Sequence, residues 1–314
     1  MTPPAVSAVV VSYNCADLLR TALASLSEQE VDGGLEIIVV DNASADDGAD
    51  VAAAFPGVEV VALERNVGFA AANNVGARRA RGGVLLFANP DVEAPPRVVA
   101  ALNDFLLRNN AAAAVGPKLV GRDGRLQRFC ARRFPTAWNL LFQVSGIGES
   151  RWAGASWAHR FYPARYYEVG PARAEALAGA FMIVRRGVFE EVGGFDEGYF
   201  LYGEDVDLCR RLSAAGGEIW YVPAGPVRHY TGGSRRSPDP VVVAESHRSA
   251  VRYARRWHGG LAAAAVRAVS TSSLWGRRFA FGAAGLFGEG GRRRARFYAD
   301  ARAEYRRREN AARA

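Results

Sequence analysis

Four acidic residues stand where strand-like runs end or a helical pattern begins, and each has chemistry within its reach. Asp41 closes the apolar run Leu35-Glu36-Ile37-Ile38-Val39-Val40 and is followed by Asn42-Ala43-Ser44. A carboxylate there can accept the imide N–H of a uracil or thymine ring, a donor that cytosine lacks. Equally, Asp, Asn and Ser are the residues that make turns and cap a following helix. Asp91 lies in Asn89-Pro90-Asp91, directly after Val84-Leu85-Leu86-Phe87. A carboxylate at a strand end can hold Mg²⁺ or Mn²⁺ through oxygen and leave other positions of the ion to a diphosphate and water. Asn-Pro also starts ordinary turns.

Glu204 and Asp205 open the helical pattern Glu204-Asp205-Val206-Asp207 behind the aromatic segment Tyr199-Phe200-Leu201-Tyr202. The helix macrodipole favours acids in a first turn. Three acids in four residues exceed what capping needs, and a carboxylate among apolar or like-charged neighbours is suited to deprotonating a hydroxyl. His229, one of four histidines, precedes the loop Thr231-Gly232-Gly233-Ser234. It reads either as a further metal ligand or as a structural residue. Neutral polar groups complete the set: Ser12 and Asn14 follow a first apolar run, then come Asn66, Gly68, Asn74 and Asn89. Glycines permit close backbone approach, and Asn side chains offer donors and acceptors to a ribose or base. Their spacing is neither a P-loop nor a dinucleotide fingerprint, which argues against a nucleotide triphosphatase and a dehydrogenase.

These residues need a frame. Ala8-Val9-Val10-Val11, Leu35–Val40, Val58–Leu63 and Val84–Phe87 read as short buried strands, with helical patterns at 18–26, 46–55 and 69–81 between them. Strand and helix in alternation predict an α/β sheet of parallel units, in which ligands collect beyond the C-terminal strand ends. Residues 125–175 show no clean period and read as a long irregular insertion. A further ordered run, 178–184, and a helix over 205–212 follow, and from about 243 onward the pattern is helical. The predicted division is a catalytic domain over 1–235 and a basic helical extension over 236–314.

The 314 residues carry a net charge of +8, which invites a nucleic-acid reading. Its distribution opposes that: residues 1–244 hold 24 Lys and Arg against 27 Asp and Glu, a net of −3, and 245–314 hold 16 against 5, a net of +11. An acidic body with ordered acidic motifs predicts no nucleic-acid partner. In the tail, Trp275, Phe279, Phe281, Leu286 and Phe287 beside Arg277, Arg278 and Arg292-Arg293-Arg294 suit an anionic membrane surface. A solvated arm or a homo-oligomer contact is the plainer alternative. No apolar stretch approaches the roughly 18–20 residues of a spanning helix. With no secretory pattern at the N-terminus and three widely spaced cysteines, the expectation is a cytoplasmic protein, peripheral at most.

Taken together, the motifs resemble glycosyltransferase family 2, the GT-A fold, and within it the bacterial rhamnosyltransferase-like branch. The resemblance rests on Val10-Val11-Ser12-Tyr13-Asn14, Val40-Asp41-Asn42-Ala43-Ser44, Asn66-Val67-Gly68-Phe69 with Asn74-Val75-Gly76, and Asn89-Pro90-Asp91. It continues through Gly193-Gly194-Phe195-Asp196-Glu197, the Phe200–Leu208 segment and His229, in order over about 7–235. It implies a Rossmann-like, mostly parallel central sheet flanked by helices, and an inverting, metal-dependent transferase. By position, Asp41 contacts the base; Ser12, Asn14, Asn66, Gly68, Asn74 and Asn89 line the nucleotide pocket. Asp91 is the metal acid, with Asn89 in place of the family's first Asp and Glu93 as a conceivable supplement. Asp205 of the Glu204–Asp205 pair is the general base and His229 an additional ligand for Mg²⁺ or Mn²⁺. The implied partners are a nucleotide-sugar donor, with dTDP-L-rhamnose first and UDP-sugars the alternative, and a glycan or polyprenyl-diphosphate-saccharide acceptor. A nucleotidyltransferase, the nearest rival chemistry, would release pyrophosphate instead of a nucleoside diphosphate.

Overall fold

The computed structural model describes residues 3–146, 160–230, 239–284 and 289–311. His159, the Thr231–Ser234 loop, Leu286 and Phe287 lie outside them. The chain forms two compact units: Met1–Phe134 with Phe161–Glu197 and Glu204–Arg236, and Pro135–Arg160 with Gly198–Gly203 and Ser237–Ala314.

The first unit begins with β1 (Val6–Ser12), α1 (Ala16–Ser27), β2 (Leu35–Asp41), α2 (Gly48–Ala53), β3 (Val58–Ala62), α3 (Phe69–Arg79) and β4 (Val84–Ala88). This is the alternation that the apolar runs predict. Every residue of β1 and β4 is buried, as in strands covered on both faces. Leu19, Ala22, Leu23 and Leu26 bury one face of α1 at the 3.6-residue period. Gly76 lets α3 approach β1 closely, since a Cβ there would lie 2.3 Å from Val9 Cγ1. Next come β5 (Val92–Glu93), α4 (Val98–Arg108), β6 (Ala112–Gly116), β7 (Leu119–Val120) and β8 (Ala131–Arg132). After α5 (Ala137–Ser145) of the second unit follow β9 (Ala172–Arg173), β10 (Ala176–Leu177), β11 (Phe181–Arg185), α6 (Arg186–Glu191), α7 (Glu204–Ala214), β12 (Glu218–Tyr221) and β13 (Val227–His229).

The main sheet has the order β3-β2-β1-β4-β11-β6-β12-β9. β3, β2, β1 and β4 are mutually parallel, and β11 runs antiparallel to both β4 and β6. The strand order reverses at β1, so β1 and β4 flank the switch point where such sheets bind ligands. Ser12 and Asp41 are register partners at the ends of β1 and β2. A smaller sheet, β5-β13-β7, pairs His229 with Val92 and Arg228 with Glu93.

Two features depart from the sequence reading. β6, Ala112-Ala113-Ala114-Val115-Gly116, is a fully buried central strand with no β-branched signal except Val115. Its small side chains fit between neighbours, and tertiary packing overrides propensity there. The predicted irregular stretch also contains regular pieces: β8, α5 with a Thr136–Asn139 capping box, and β9.

In the second unit, α8 (Pro240–Ala284) is interrupted at Gly259, whose φ of 86° is non-helical, and α9 (Glu289–Ala311) follows. Ala244, Leu274, Ala301 and Tyr305 form a buried cluster. The tail's aromatics stack on its own arginines: Arg302 over Trp275 at 3.9 Å, Arg277 over Tyr298 at 5.3 Å and Arg294 over Phe281 at 5.5 Å. Phe279 remains 61% exposed. No helix among the described residues is long and apolar enough to cross a membrane.

Candidate active site

At the switch point, the loops after β1 and β2 are stitched together. The Asn14 N–H donates to Ser44 Oγ (3.1 Å), and Asn14 Oδ1 accepts from the Ala45 N–H (2.7 Å). Asn14 and Ala43 both adopt positive φ, 51° and 60°, a cost that small polar turns at functional sites bear. Asp46 reaches back to accept from the Ala16 N–H at 2.9 Å, supplying an acceptor to the first turn of α1. Asp41 is only 5% exposed; its Oδ2 accepts from the Ser44 N–H at 3.1 Å, and its Oδ1 has no partner among the described residues. A buried carboxylate oxygen without a donor is costly unless a ligand satisfies it.

Asn42, unassigned by the sequence reading, anchors the third loop. Its Nδ2 donates to Asn66 Oδ1 (3.0 Å), and its Oδ1 accepts from the Val67 N–H (2.9 Å). Asn66 Oδ1 also takes the Gly68 N–H at 2.9 Å, and Gly68 enters α3 with φ of 89°. Ser12, Asn14, Asp41, Asn66 and Gly68 therefore share one braced loop cluster. Asn74 does not join it: its Nδ2 donates to Phe195 O (2.8 Å) and Glu197 Oε1 (3.0 Å), and its Oδ1 accepts from the Phe195 N–H (2.9 Å). These bonds brace the segment that follows the Gly193-Gly194 turn. Asp207 is likewise committed, to Arg211 Nε at 2.8 Å, while Arg211 NH1 donates to Val192 O and Gly194 O.

Sheet register brings Asp91 and His229 together. The Tyr230 N–H donates to Asp91 O (2.8 Å), and His229 Nε2 lies 3.3 Å from Asp91 Oδ1. Asn89 belongs here too, with Nδ2 3.2 Å from His229 Nε2. Both Asp91 and His229 are buried. Glu93 is directed elsewhere: paired with Arg228, it occupies the face opposite His229 and accepts from Tyr230 OH. An imidazole nitrogen beside a carboxylate oxygen fits a divalent cation that takes its remaining ligands from phosphate and water. Among the described residues no three His, Cys, Asp or Glu side chains gather as a metal cluster.

Asp205, the second residue of α7, is held by three donors: Arg132 NH2 at 2.8 Å and the Gly179 N–H at 3.1 Å on Oδ2, and the Val206 N–H at 2.7 Å on Oδ1. Gly179 eases this approach, because a Cβ there would lie 3.2 Å from Asp205 Cβ, a tight contact. The next residue, Ala180, accepts the Asn89 N–H at 2.9 Å, so consecutive residues tie the Asp205 end to the Asn89–Asp91 end. Glu204 is buried with Oε2 unpartnered among the described residues, and burial, followed by the neighbouring Asp205 charge, pushes its pKa up to about 8. Arg132 and Gln127 are functional candidates that no local pattern announces; both sit in an arginine-rich stretch of the predicted insertion.

The strand ends of this mostly parallel α/β sheet thus carry acidic groups and an imidazole. The family model "Glycosyl transferase family 2" matches residues 7–193, and "Glycosyl transferase family group 2" matches 148–287. The N-acetylglucosaminyl-diphospho-decaprenol L-rhamnosyltransferase of Mycobacterium tuberculosis is 30% identical over 282 residues, covering 85% of this chain and 89% of its own. Among solved structures, GalNAc-T7 with UDP, GalNAc and Mn²⁺ superposes with a TM-score of 0.60 at 20% identity, over 81% of this chain and 48% of its own. A mannosyltransferase from Pyrobaculum calidifontis with GDP-Man and Mn²⁺ gives 0.55 at 18% identity, over 95% and 85%. The chain belongs to glycosyl transferase family 2 and has the GT-A fold. It is a glycosyltransferase of the hexosyltransferase type.

Proposed function

We propose that this enzyme transfers L-rhamnose from dTDP-L-rhamnose, with inversion, to a hydroxyl of a polyprenyl-diphosphate-linked saccharide during polysaccharide synthesis. The observation that carries the nucleotide half is the unpartnered, buried Asp41 Oδ1. It is an acceptor waiting for an imide N–H, which thymine and uracil possess and cytosine lacks. The sugar and acceptor follow the mycobacterial relative, whose name specifies both.

In the reaction, Ser12, Asn14 and Asn66 seat the nucleoside beside Asp41. Asp91 and His229 would hold a divalent cation, Mg²⁺ or Mn²⁺, at the diphosphate. When bound, that ion supplies neutralisation of the charge that accumulates on the leaving nucleoside diphosphate. Arg132 and the Gly179 N–H fix the Asp205 carboxylate, which takes the proton of the acceptor hydroxyl. The acceptor oxygen forms its bond to the anomeric carbon as the carbon–oxygen bond to the diphosphate breaks, and the bonding pair leaves with the diphosphate. One such in-line displacement inverts the anomeric centre.

A panel of dTDP-, UDP-, GDP- and CDP-sugars tests the reading, with a short-chain GlcNAc-diphospholipid as acceptor and Mn²⁺ present. Linkage requires the true donor to raise the melting temperature. The expected result is stabilisation and transfer with dTDP-L-rhamnose, releasing dTDP. Release of pyrophosphate, or stabilisation by CDP-sugars equal to that by dTDP-sugars, overturns it. The same reading puts the enzyme at the cytoplasmic face of an anionic membrane, met by the exposed Arg292, Arg293, Arg294 and Arg296. Cosedimentation with phosphatidylglycerol vesicles should be lost when Arg292, Arg293 and Arg294 are changed to Glu; undiminished binding refutes it. Deleting 276–314 is a poor test, because Ala301 and Tyr305 belong to the buried cluster.

A further inference from the structure

His229 is gripped at both ring nitrogens, and one grip determines the other. Gln127 Nε2 lies 2.9 Å from the His229 backbone oxygen, and Gln127 Oε1 lies 3.0 Å from His229 Nδ1. A carbonyl oxygen only accepts, so the amide nitrogen must face it and the amide oxygen must face the ring. An amide oxygen also only accepts, so Nδ1 carries the proton. In the neutral imidazole Nε2 is then left with its lone pair, directed toward Asn89 Nδ2 at 3.2 Å and Asp91 Oδ1 at 3.3 Å. Asn89 Nδ2 is placed to donate to that lone pair.

We propose that Gln127 is a positioning residue that fixes His229 as its Nδ1–H tautomer and so presents Nε2, beside Asp91, to a divalent cation. This rests on the cation reading given above and adds the residue that makes the imidazole competent. The backbone around Gln127 is built for the task. β7 lies parallel to β13, and the chain turns back so that the Gln127 N–H donates to Leu119 O at 2.9 Å and Val120 bridges Leu126. Gln127 thus comes from a hairpin hydrogen-bonded to the strand that carries His229. Phe129 packs its ring against the imidazole at 5.9 Å between centroids, nearly perpendicular. A neutral imidazole whose far N–H is held by an oxygen acceptor is the form that binds metals, and loss of such a partner typically weakens binding about 10–100-fold.

The test reads the tautomer without metal and the affinity with it. Long-range ¹H–¹⁵N spectra of the metal-free full chain, assigned with His229→Asn, should show protonated Nδ1 and unprotonated Nε2 in wild type. Gln127→Leu should mix the two tautomers and weaken Mn²⁺ binding, followed by electron paramagnetic resonance, by about 10–100-fold. Gln127→Glu keeps an oxygen acceptor opposite Nδ1 but gives up the bond to the His229 carbonyl, so it should hold the Nδ1–H signature and weaken Mn²⁺ binding less than Gln127→Leu. An unchanged tautomer and Mn²⁺ affinity in Gln127→Leu overturns the proposal. So does equal weakening by Leu and Glu, which would mark Gln127 as part of the hairpin framework. Mn²⁺ binding indifferent to Asp91→Asn and His229→Asn overturns the cation reading itself. The tautomer spectra, which need no metal, tell that failure apart from a failure of positioning.

Discussion

The bonds that assemble the nucleotide end of the site, Asn14 to Ser44 and Asn42 to Asn66, span 30 and 24 residues of chain. At the transfer end, Arg132 reaches Asp205 across 73 residues and Gln127 reaches His229 across 102. The first end is made by neighbouring loops of consecutive parallel units, each loop placed by the strand before it. The second is assembled from an insertion, an antiparallel strand and a small separate sheet. Binding the nucleoside asks only that adjacent loops hold fixed donors and acceptors. Moving a proton and holding a diphosphate asks for groups of opposite charge at set distances, and the fold collects these from distant segments.

If the ends divide labour in this way, substitution at each should fail differently. Asp205→Asn removes the proton acceptor while keeping shape, and kcat should fall about 10³-fold, within the span usual for general bases. Calorimetric affinity for dTDP should hardly change. Asp41→Asn replaces an acceptor by a group that can also donate. It should weaken dTDP and UDP by about tenfold, the worth of a hydrogen bond to a charged group, and erase their advantage over CDP, with a smaller effect on kcat. Parallel loss of binding and turnover in Asp205→Asn, or retained pyrimidine selectivity in Asp41→Asn, would break the comparison.

The same contrast governs what could be read before the fold was known. β1 to β4 announce themselves because strands buried on both faces are continuous apolar runs, and Ser12, Asp41 and Asn89 follow from where those runs stop. Asp205 and His229 are visible as residue types in unusual company. Arg132 and Gln127 are not, because an Arg and a Gln in an arginine-rich, aperiodic stretch look solvated until sheet pairing brings them to a carboxylate and an imidazole. β6 is hidden by its alanines. Asn74 shows the same limit: its bonds to Phe195 and Glu197 span 121 and 123 residues of chain, and no local pattern announces them. Local pattern carries the framework, and pairing at long range carries the charges.

A smaller effect probes the transfer end alone. Glu204 is buried beside Asp205 with an unpartnered oxygen, and its pKa is pushed up to about 8 by burial and by that neighbouring charge. In the unfolded chain it titrates near the ordinary Glu value, about 4.3. Between these values the unfolded chain has released the proton while the folded chain retains it, so the native state binds more protons and loses stability as pH rises. Above about 8 both states are ionised and the loss levels off. Glu204→Gln cannot ionise and escapes this penalty. Its melting temperature should match wild type at or below the unfolded pKa, exceed it by a margin that grows through neutral pH, and keep that margin in mild alkali. A margin independent of pH would mean that Glu204 is solvated or hydrogen-bonded in the native protein. The Glu204–Asp205 pair would then carry two charges at the transfer end, and Arg132 would have to balance both instead of holding the single carboxylate that takes the proton.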